Sequence, residues 1–326
     1  MPIVSIIIPV YNRPQLVSEA IESVLAQTNP DWELMVVDDW SNDNTWDVLQ
    51  EYAAKDKRIR AFKRDREPKG ANRCRNMGIE KADGKYIIFL DSDDLLAPDC
   101  LENRINVIEN STFDFVVFNS NFIADKIDNN IGLVNKHFEN NEDYLYSFIS
   151  CNYPWSIINP IWKTKTLLNL GGFDENILRL QDPELHIRAI IKTAFNFTCV
   201  NNKVDSYIRK HSDKGYKPEI LVKSYPLFIK SIAEICNENK QLLNQNRLYD
   251  SFKDGLLTIG FRLLLFAHKY NPLIIKRFVK ISRNNKLLSK TNYLKLKIYL
   301  YLYIVGVARI KGLRGSIQKM FLGRVI

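Results

Sequence analysis

Several things are scarce in this chain of 326 residues. Cysteine occurs five times, at Cys74, Cys100, Cys151, Cys199 and Cys236. The number is odd and no C-x-x-C pair is present, so neither a disulfide framework nor a structural zinc site is expected, and a reducing compartment suits the chain. Glycine (13) and proline (12) are too few for a fibrous or low-complexity protein, and no repeat recurs at solenoid periods. Long hydrophobic runs are missing: the longest uncharged apolar one covers 11 residues, 298–308, against the roughly 20 that a membrane-spanning helix needs. The N-terminus runs Met1-Pro2-Ile3-Val4 into an apolar stretch with no basic leader or cleavage signature, which predicts a cytoplasmic protein. No G-x-G-x-x-G follows that stretch, which sets aside a nicotinamide-dinucleotide enzyme. Acidic residues, finally, stop at Asp254.

That last absence organises the charge. Residues 255–326 carry 15 Lys and Arg and no Asp or Glu; since the whole chain is +9, residues 1–254 are left at −6. The tail alternates apolar clusters with basic residues, and Tyr299, Tyr301 and Tyr303 stand beside Lys295, Lys297, Arg309 and Lys311. Two readings fit: an interfacial helix on an anionic membrane surface, or a helical bundle packed on the rest of the chain with a solvated basic face. Nucleic acid is not expected as a partner, because the basic residues fall on no recognition motif. A composition 46% hydrophobic and 25% charged is that of a globular protein, and the length suits one catalytic domain with an appendage.

Apolar runs and helical periodicities then alternate. Residues 5–10 form a buried run ended by Pro9 and the turn-prone Tyr11-Asn12, and Pro14 opens a helix whose Leu16, Val17, Ala20, Ile21, Val24 and Leu25 recur at helical spacing. A strand at 33–37 ends in Asp38-Asp39 and leads to a helix at 45–54. A weaker strand at 58–63, a helix at 72–82 and a buried strand at 86–90 follow, the last ending in Asp91-Ser92-Asp93-Asp94; a helix after Pro98 and a strand at 113–118 close the series. Such alternation predicts a parallel sheet covered by helices. Ligands of open sheets bind beyond the carboxyl ends of the strands, which is where both acidic clusters fall. Residues 119–143, rich in Asn and Asp, read as a long loop that could close over the site. Beyond it the expectations are a strand at 157–162, a turn at Gly171-Gly172, a helix at 183–194, short edge strands at 197–200 and 204–208, and helix throughout after Pro218.

Carboxylates crowded at a strand end raise one another's pKa, a cost that a divalent cation removes. Hard cations such as Mn²⁺ and Mg²⁺ take oxygen ligands and are commonly shared between one or two carboxylates and substrate phosphates. In an extended Asp91-Ser92-Asp93 both acids point to one side. A lone D-x-D is more often a helix cap or a turn, so the surrounding motifs decide.

Those motifs are Val4-Ser5-Ile6-Ile7-Ile8-Pro9-Val10-Tyr11-Asn12, Val36-Val37-Asp38-Asp39 with Ser41 and Thr45, Arg75-Asn76 before Gly78, and Gly84-Lys85-Tyr86-Ile87-Ile88-Phe89-Leu90-Asp91-Ser92-Asp93-Asp94. In order and spacing the set resembles the family 2 inverting glycosyltransferases of GT-A fold, over about residues 3–210. The resemblance implies an α/β fold, a Rossmann-like mixed, mostly parallel sheet flanked by helices, with a C-terminal helical extension. It implies that Pro9, Tyr11, Asp38 and Asp39 line a nucleoside pocket, that Arg75 lies near the donor phosphates, that Asp91 and its neighbour Ser92 meet the donor, and that Asp93 ligates the metal. Leu180-Gln181-Asp182-Pro183 is similar to the family's Glu-Asp pair before a helix, with Gln181 in place of Glu. Asp182 is then the general base for the acceptor hydroxyl; it also suits the N-cap of a helix with Pro183 at N1, and the two roles can coexist. His211, in Tyr207-Ile208-Arg209-Lys210-His211-Ser212, is implied to complete the metal shell, a role with no counterpart for His137, His186 or His268. No Q-x-x-R-W signature of processive relatives is present.

The resulting expectations are a catalytic domain over residues 1–215, with a nucleotide-sugar half at about 1–118 and an acceptor half at about 119–215, and a basic helical region over 216–326. The implied activity is transfer of a sugar from a nucleoside diphosphate sugar, UDP-linked, to a hydroxyl with inversion, using Mn²⁺ or Mg²⁺. A glycan or lipid-linked glycan acceptor at the inner face of the cell membrane suits the tail. The alternative is a noncatalytic nucleotide-sugar-binding or scaffold subunit, which only Gln181 favours.

Overall fold

The run VSIIIPV forms β1 (Val4–Val10), buried along its whole length, because a strand with neighbours on both edges and helices on both faces has no side left for water. A computed structural model describes residues 2–124, 130–210 and 218–245, with residues 248, 280, 294 and 298. After β1 come α1 (Pro14–Leu25), β2 (Trp32–Asp38), α2 (Thr45–Lys55), β3 (Ile59–Lys63), α3 (Ala71–Lys81), β4 (Tyr86–Phe89), β5 (Leu95–Leu96), α4 (Cys100–Glu109), β6 (Phe115–Ile123), β7 (Asn130–Leu133), α5 (Asn141–Ile149), β8 (Pro160–Lys163), α6 (Thr164–Leu170), α7 (Gln181–Lys192), β9 (Phe197–Arg209), α8 (Pro218–Glu238) and α9 (Lys240–Gln245).

The strands form one mixed sheet in the order β3-β2-β1-β4-β8-β6-β9-β5, with β7 paired to β6. Strands β3, β2, β1 and β4 are parallel. Antiparallel pairing enters at β8, which lies between β4 and β6. Register places Val10 opposite Asp38, and Ile7 opposite Phe89. The loops after β1, β2 and β4 therefore leave the sheet at one edge, and the motifs distant in sequence meet there. Helix α3 packs so close to β1 that a Cβ on Gly78 would stand 2.4 Å from the Ile7 side chain, and this close approach sets the depth of Arg75 behind the edge.

Two segments differ from the sequence expectation. Residues 119–143 do not form one long loop: β6 continues to Ile123 and pairs with β7. Asn119, Ser120 and Asn135 are interior. Asn159 donates to the Phe118 carbonyl, the Ser120 hydroxyl and Asn135 Oδ1, and Asn135 Oδ1 also accepts from the Ser120 N–H. Satisfied in this way, buried Asn and Ser are compatible with a strand that composition alone assigns to solvent. Likewise, residues 197–209 form one strand, β9, held between β6 and β5, where two short edge strands were expected. Its interior position is fixed by Arg104 of α4, fully buried, which donates to both carboxylate oxygens of Asp205 at 2.6 and 2.8 Å and to the Ile158 carbonyl at 2.7 Å.

The chain divides into two compact units, Met1–Asn141 with Tyr153–Tyr216, and Glu142–Asn152 with Lys217–Ile326. The second therefore takes in a piece from the middle of the chain. In α8 the buried Phe228, Ile229, Ile232, Ala233 and Cys236 recur at helical spacing. Most of the basic tail, 255–326, lies outside the described residues, as does His211. No helix among the described residues is long and apolar enough to cross a membrane.

Candidate active site

A cleft of about 350 Å³ opens at the carboxyl edge of β1, β2 and β4, lined by Pro9, Tyr11, Arg13, Asp39, Arg75, Asp91, Ser92, Asp93, Arg179 and Gln181 among others. Of the residues singled out in the sequence, Pro9, Tyr11, Asp39, Arg75, Asp91, Ser92 and Asp93 share this cleft. Asp38 does not line it. Fully buried, Asp38 accepts from the Ser41 N–H and from the Ser41 hydroxyl, and so shapes the turn that presents its neighbour.

That turn is laced to the one after β1. The Asp39 N–H donates to the Val10 carbonyl, the Asn12 N–H to Ser41 Oγ, and the Asn42 N–H to Asn12 Oδ1. Asn12 itself adopts φ 52°, a conformation Asn tolerates better than most side chains. The Asp39 carboxylate then faces the cleft while Arg64 Nε grips it from behind at 2.5 Å. The Lys69 ammonium sits over the ring of half-exposed Tyr11, 3.2 Å from its centroid.

Three acids follow β4 within four residues, and each is handled differently. Asp91 pairs with Arg75 at 2.5 Å and Asp93 with Arg13 at 2.6 Å. Asp94 turns inward, where its Oδ1 accepts from the Arg209 N–H at 3.0 Å. Burial, reinforced by Asp91 and Asp93, pushes the Asp94 carboxyl well above the usual carboxylate range. Arg209 also donates to the Asp93 carbonyl and to Glu19, so the end of β9 is clamped to the acidic turn.

Arg75 is the hub. Its Nη1 lies 3.7 Å from Asp182 Oδ1, and neither Nε nor Nη1 has a hydrogen-bond acceptor among the described residues. Asp182 is the second residue of α7, whose N-cap is Leu180 at φ 68° without a side-chain cap bond. The N-cap reading of Asp182 is thereby replaced: the helix begins two residues earlier than Pro183 at N1 requires, and the carboxylate faces Arg75 instead of its own helix end. A quarter of the Asp182 side chain stays accessible while its Oδ1 is enclosed. Burial pushes its carboxyl up to about 6, with the Arg75 charge opposing and Asp91 reinforcing the rise.

The loop that delivers α7 is fastened to α3. Asn76 donates to the Phe173 carbonyl and accepts from the Phe173 N–H; Asn72 donates to the Asp174 and Ile177 carbonyls. Gly172, at φ 67°, has no room for a Cβ beside Asn76. From the other side Arg188, paired with Glu184, donates to the Leu170 and Gly172 carbonyls. Asn76→Ala strands the buried Phe173 N–H, so it should cost about 1–3 kcal/mol of stability in urea unfolding. His186, one turn beyond Asp182, is interior: it stacks on Trp162, and burial pushes it down to about 3.

Sequence reasoning did not single out Arg13, Arg64 or Arg179. Arg13 directly follows the first motif, but nothing in the sequence indicates that its guanidinium reaches Asp93, 80 residues away. The donor set at the acidic turn, carboxylate and hydroxyl oxygen, fits Mn²⁺ or Mg²⁺. Among the described residues no three His, Cys, Asp or Glu side chains group to hold a cation, so the fit is to an ion shared with oxygens of a ligand.

Comparison with known proteins adds the following. Residues 5–166 match the sequence model described as Glycosyl transferase family 2. The putative teichuronic acid biosynthesis glycosyltransferase TuaG of Bacillus subtilis is 43% identical over 104 residues, 32% of this chain and 41% of that protein. This chain spans no more than half the length of the curated relatives it first matches. Among solved structures, S. aureus TarS 1–349 in complex with UDP-GlcNAc superposes with a TM-score of 0.59 at 19% identity, over 94% of this chain and 92% of that one. The mannosyltransferase PcManGT from Pyrobaculum calidifontis, in complex with GDP-Man and Mn²⁺, gives 0.53 at 17% identity, over 94% and 86%. At these identities the likeness is one of fold.

Proposed function

Since the chain belongs to glycosyl transferase family 2 through residues 5–166, we propose that its cleft takes a nucleoside diphosphate sugar, UDP-linked, and transfers the sugar to an acceptor hydroxyl with inversion. One observation carries the reading: a carboxylate with its pKa raised to about 6, Asp182, stands beside a buried arginine that also holds the donor-side Asp91.

Asp39, held by Arg64, offers its carboxylate to donors on the nucleoside, and Tyr11 provides an aromatic face beside it. Arg75 and Arg13 supply positive charge for the diphosphate, with Arg179 on the same cleft wall. Asp182 takes the acceptor's proton as the hydroxyl oxygen bonds to the anomeric carbon. The bond from that carbon to the diphosphate oxygen breaks on the opposite face, and the nucleoside diphosphate leaves with the negative charge. Asp93, with His211 as the further expected ligand, would hold Mn²⁺ or Mg²⁺, which when bound neutralises charge on the departing group.

The fold shared with proteins whose structures hold UDP-GlcNAc or GDP-Man with Mn²⁺ supports a nucleotide-sugar donor and a divalent ion. The name of TuaG supports a surface-polysaccharide acceptor. A lipid-linked glycan is the form we propose, presented at an anionic inner membrane face that the basic tail approaches. Gln181 favours a noncatalytic binding subunit, but a single carboxylate suffices as base, and the neutral neighbour spares Asp182 a second like charge.

The pH profile tests the assignment. A general base must be deprotonated, so kcat/KM should be low below pH 6, rise with a midpoint near that value and level off above it. An aspartate with the ordinary value near 3.8 leaves the profile flat between about pH 5 and 7. A flat profile therefore contradicts a base at Asp182 with its pKa raised to about 6.

A further inference from the structure

Resting on the reading of Asp93 as the metal-binding carboxylate, we infer that Arg13 is the resident counter-cation of Asp93 and exchanges for a divalent ion only when a nucleoside diphosphate enters the cleft.

Among the described residues, the ion pairs of Asp91 and Asp93 are not alike. Arg75, the partner of Asp91, keeps 3% of its side chain exposed, whereas Arg13, the partner of Asp93, keeps 41%. Arg75 is fixed in the interior. Arg13 is anchored at its backbone: its N–H donates to Thr45 Oγ1 at 3.0 Å, and its carbonyl accepts from the Val17 N–H at the start of α1. Its half-exposed side chain ends with Nη1 2.6 Å from Asp93 Oδ2 and 3.5 Å from Ser92 Oγ. Both Arg13 and Asp93 line the cleft.

The consequence is electrostatic. A divalent cation arriving alone must displace a guanidinium from Asp93 and put a second positive centre beside it, with no anion to receive either. A diphosphate changes the balance. Its oxygens offer the fork of Arg13 a bidentate partner and offer the cation the ligands that the protein does not supply. Arg13 moving to phosphate and the metal moving to Asp93 then become one linked event, so nucleotide and metal each raise the other's affinity by the same factor. In the free protein Arg13 adds its charge to that of Arg75 in offsetting Asp91, Asp93 and Asp94.

The test is Mn²⁺ binding to the full chain, followed by the electron paramagnetic resonance of free Mn²⁺, with and without saturating UDP. Wild type is expected to bind Mn²⁺ weakly alone and much more tightly with UDP. In Arg13→Ala, Mn²⁺ alone should bind about tenfold more tightly than in wild type, and the enhancement by UDP should shrink by a similar factor. Arg13→Lys keeps the charge and should retain most of the enhancement. Equal Mn²⁺ affinity of wild type and Arg13→Ala without nucleotide overturns the exchange. A separate arm examines the premise: if Asp93→Asn binds Mn²⁺ as wild type does in the presence of UDP, Asp93 is not the ligand, and the reading beneath the inference fails with it.

Discussion

Asp182→Asn is expected to lower kcat by about 10²–10⁴-fold, the usual contribution of a positioned general base, while donor affinity stays within about threefold. Asn matches Asp in shape and keeps the first turn of α7 intact, so the loss reports the missing base and not a displaced helix. The neighbourhood sharpens the expectation. Asp182, next to Gln181 of the cleft lining, is held against Arg75 by a loop bonded to α3 through Asn72 and Asn76, and by Arg188 from within α7. Steady-state kinetics with saturating donor reads the effect. Turnover within about threefold of wild type would assign proton removal to another group or to solvent.

Arg75→Met should have the next largest effect, and in two ways. Asp91 and Asp182 both lean on one guanidinium. Removing it while keeping side-chain volume leaves two carboxylates without their cation. Breaking one side of a buried pair costs several kcal/mol, and about 3 kcal/mol is expected here because Asp91 keeps a third of its side chain in water. The Asp182 carboxyl, no longer restrained by the Arg75 charge, rises further above 6. The acid limb of the kcat/KM profile therefore shifts to higher pH, and at pH 7 a larger fraction of the base is protonated and idle. Lost phosphate contacts add to this, for a combined fall in kcat/KM of about 10²–10³-fold. Denaturant unfolding reads the first effect and the pH profile the second. A variant that loses stability with its acid limb unmoved would leave Arg75 as a structural residue only.

How much of this was legible in the sequence depends on what carries each feature. The alternation from β1 to β4 is written in apolar runs that end in Pro9, Asp38-Asp39 and Asp91, and the register of the parallel strands turns those three endings into one cleft edge. Local pattern suffices there because β1, β2 and β4 are buried on both faces. It fails at β6 and β7, where Ser120, Asn135 and Asn159 satisfy one another inside the fold. It fails again at β9, whose central position depends on Arg104 meeting Asp205 across 101 residues. The same limit applies within the cleft. Asp182 is visible as an acid before a helix, but its raised pKa comes from burial and from Asp91 on the turn after β4, against the opposing charge of Arg75 on α3, and Arg13 acquires its role only through an ion pair with a distant strand end. Pairing between distant side chains leaves no periodic trace.

The most direct test of the central claim is proton NMR of nucleotide-sugar consumption by the full chain, across UDP- and GDP-linked donors, with Mn²⁺ and with a chelator. One donor should be consumed by transfer or slow hydrolysis, only with the metal present, and the sugar released should first appear with its anomeric configuration inverted. Failure to bind or consume any nucleotide sugar, with the metal supplied and the chain folded, would contradict the account.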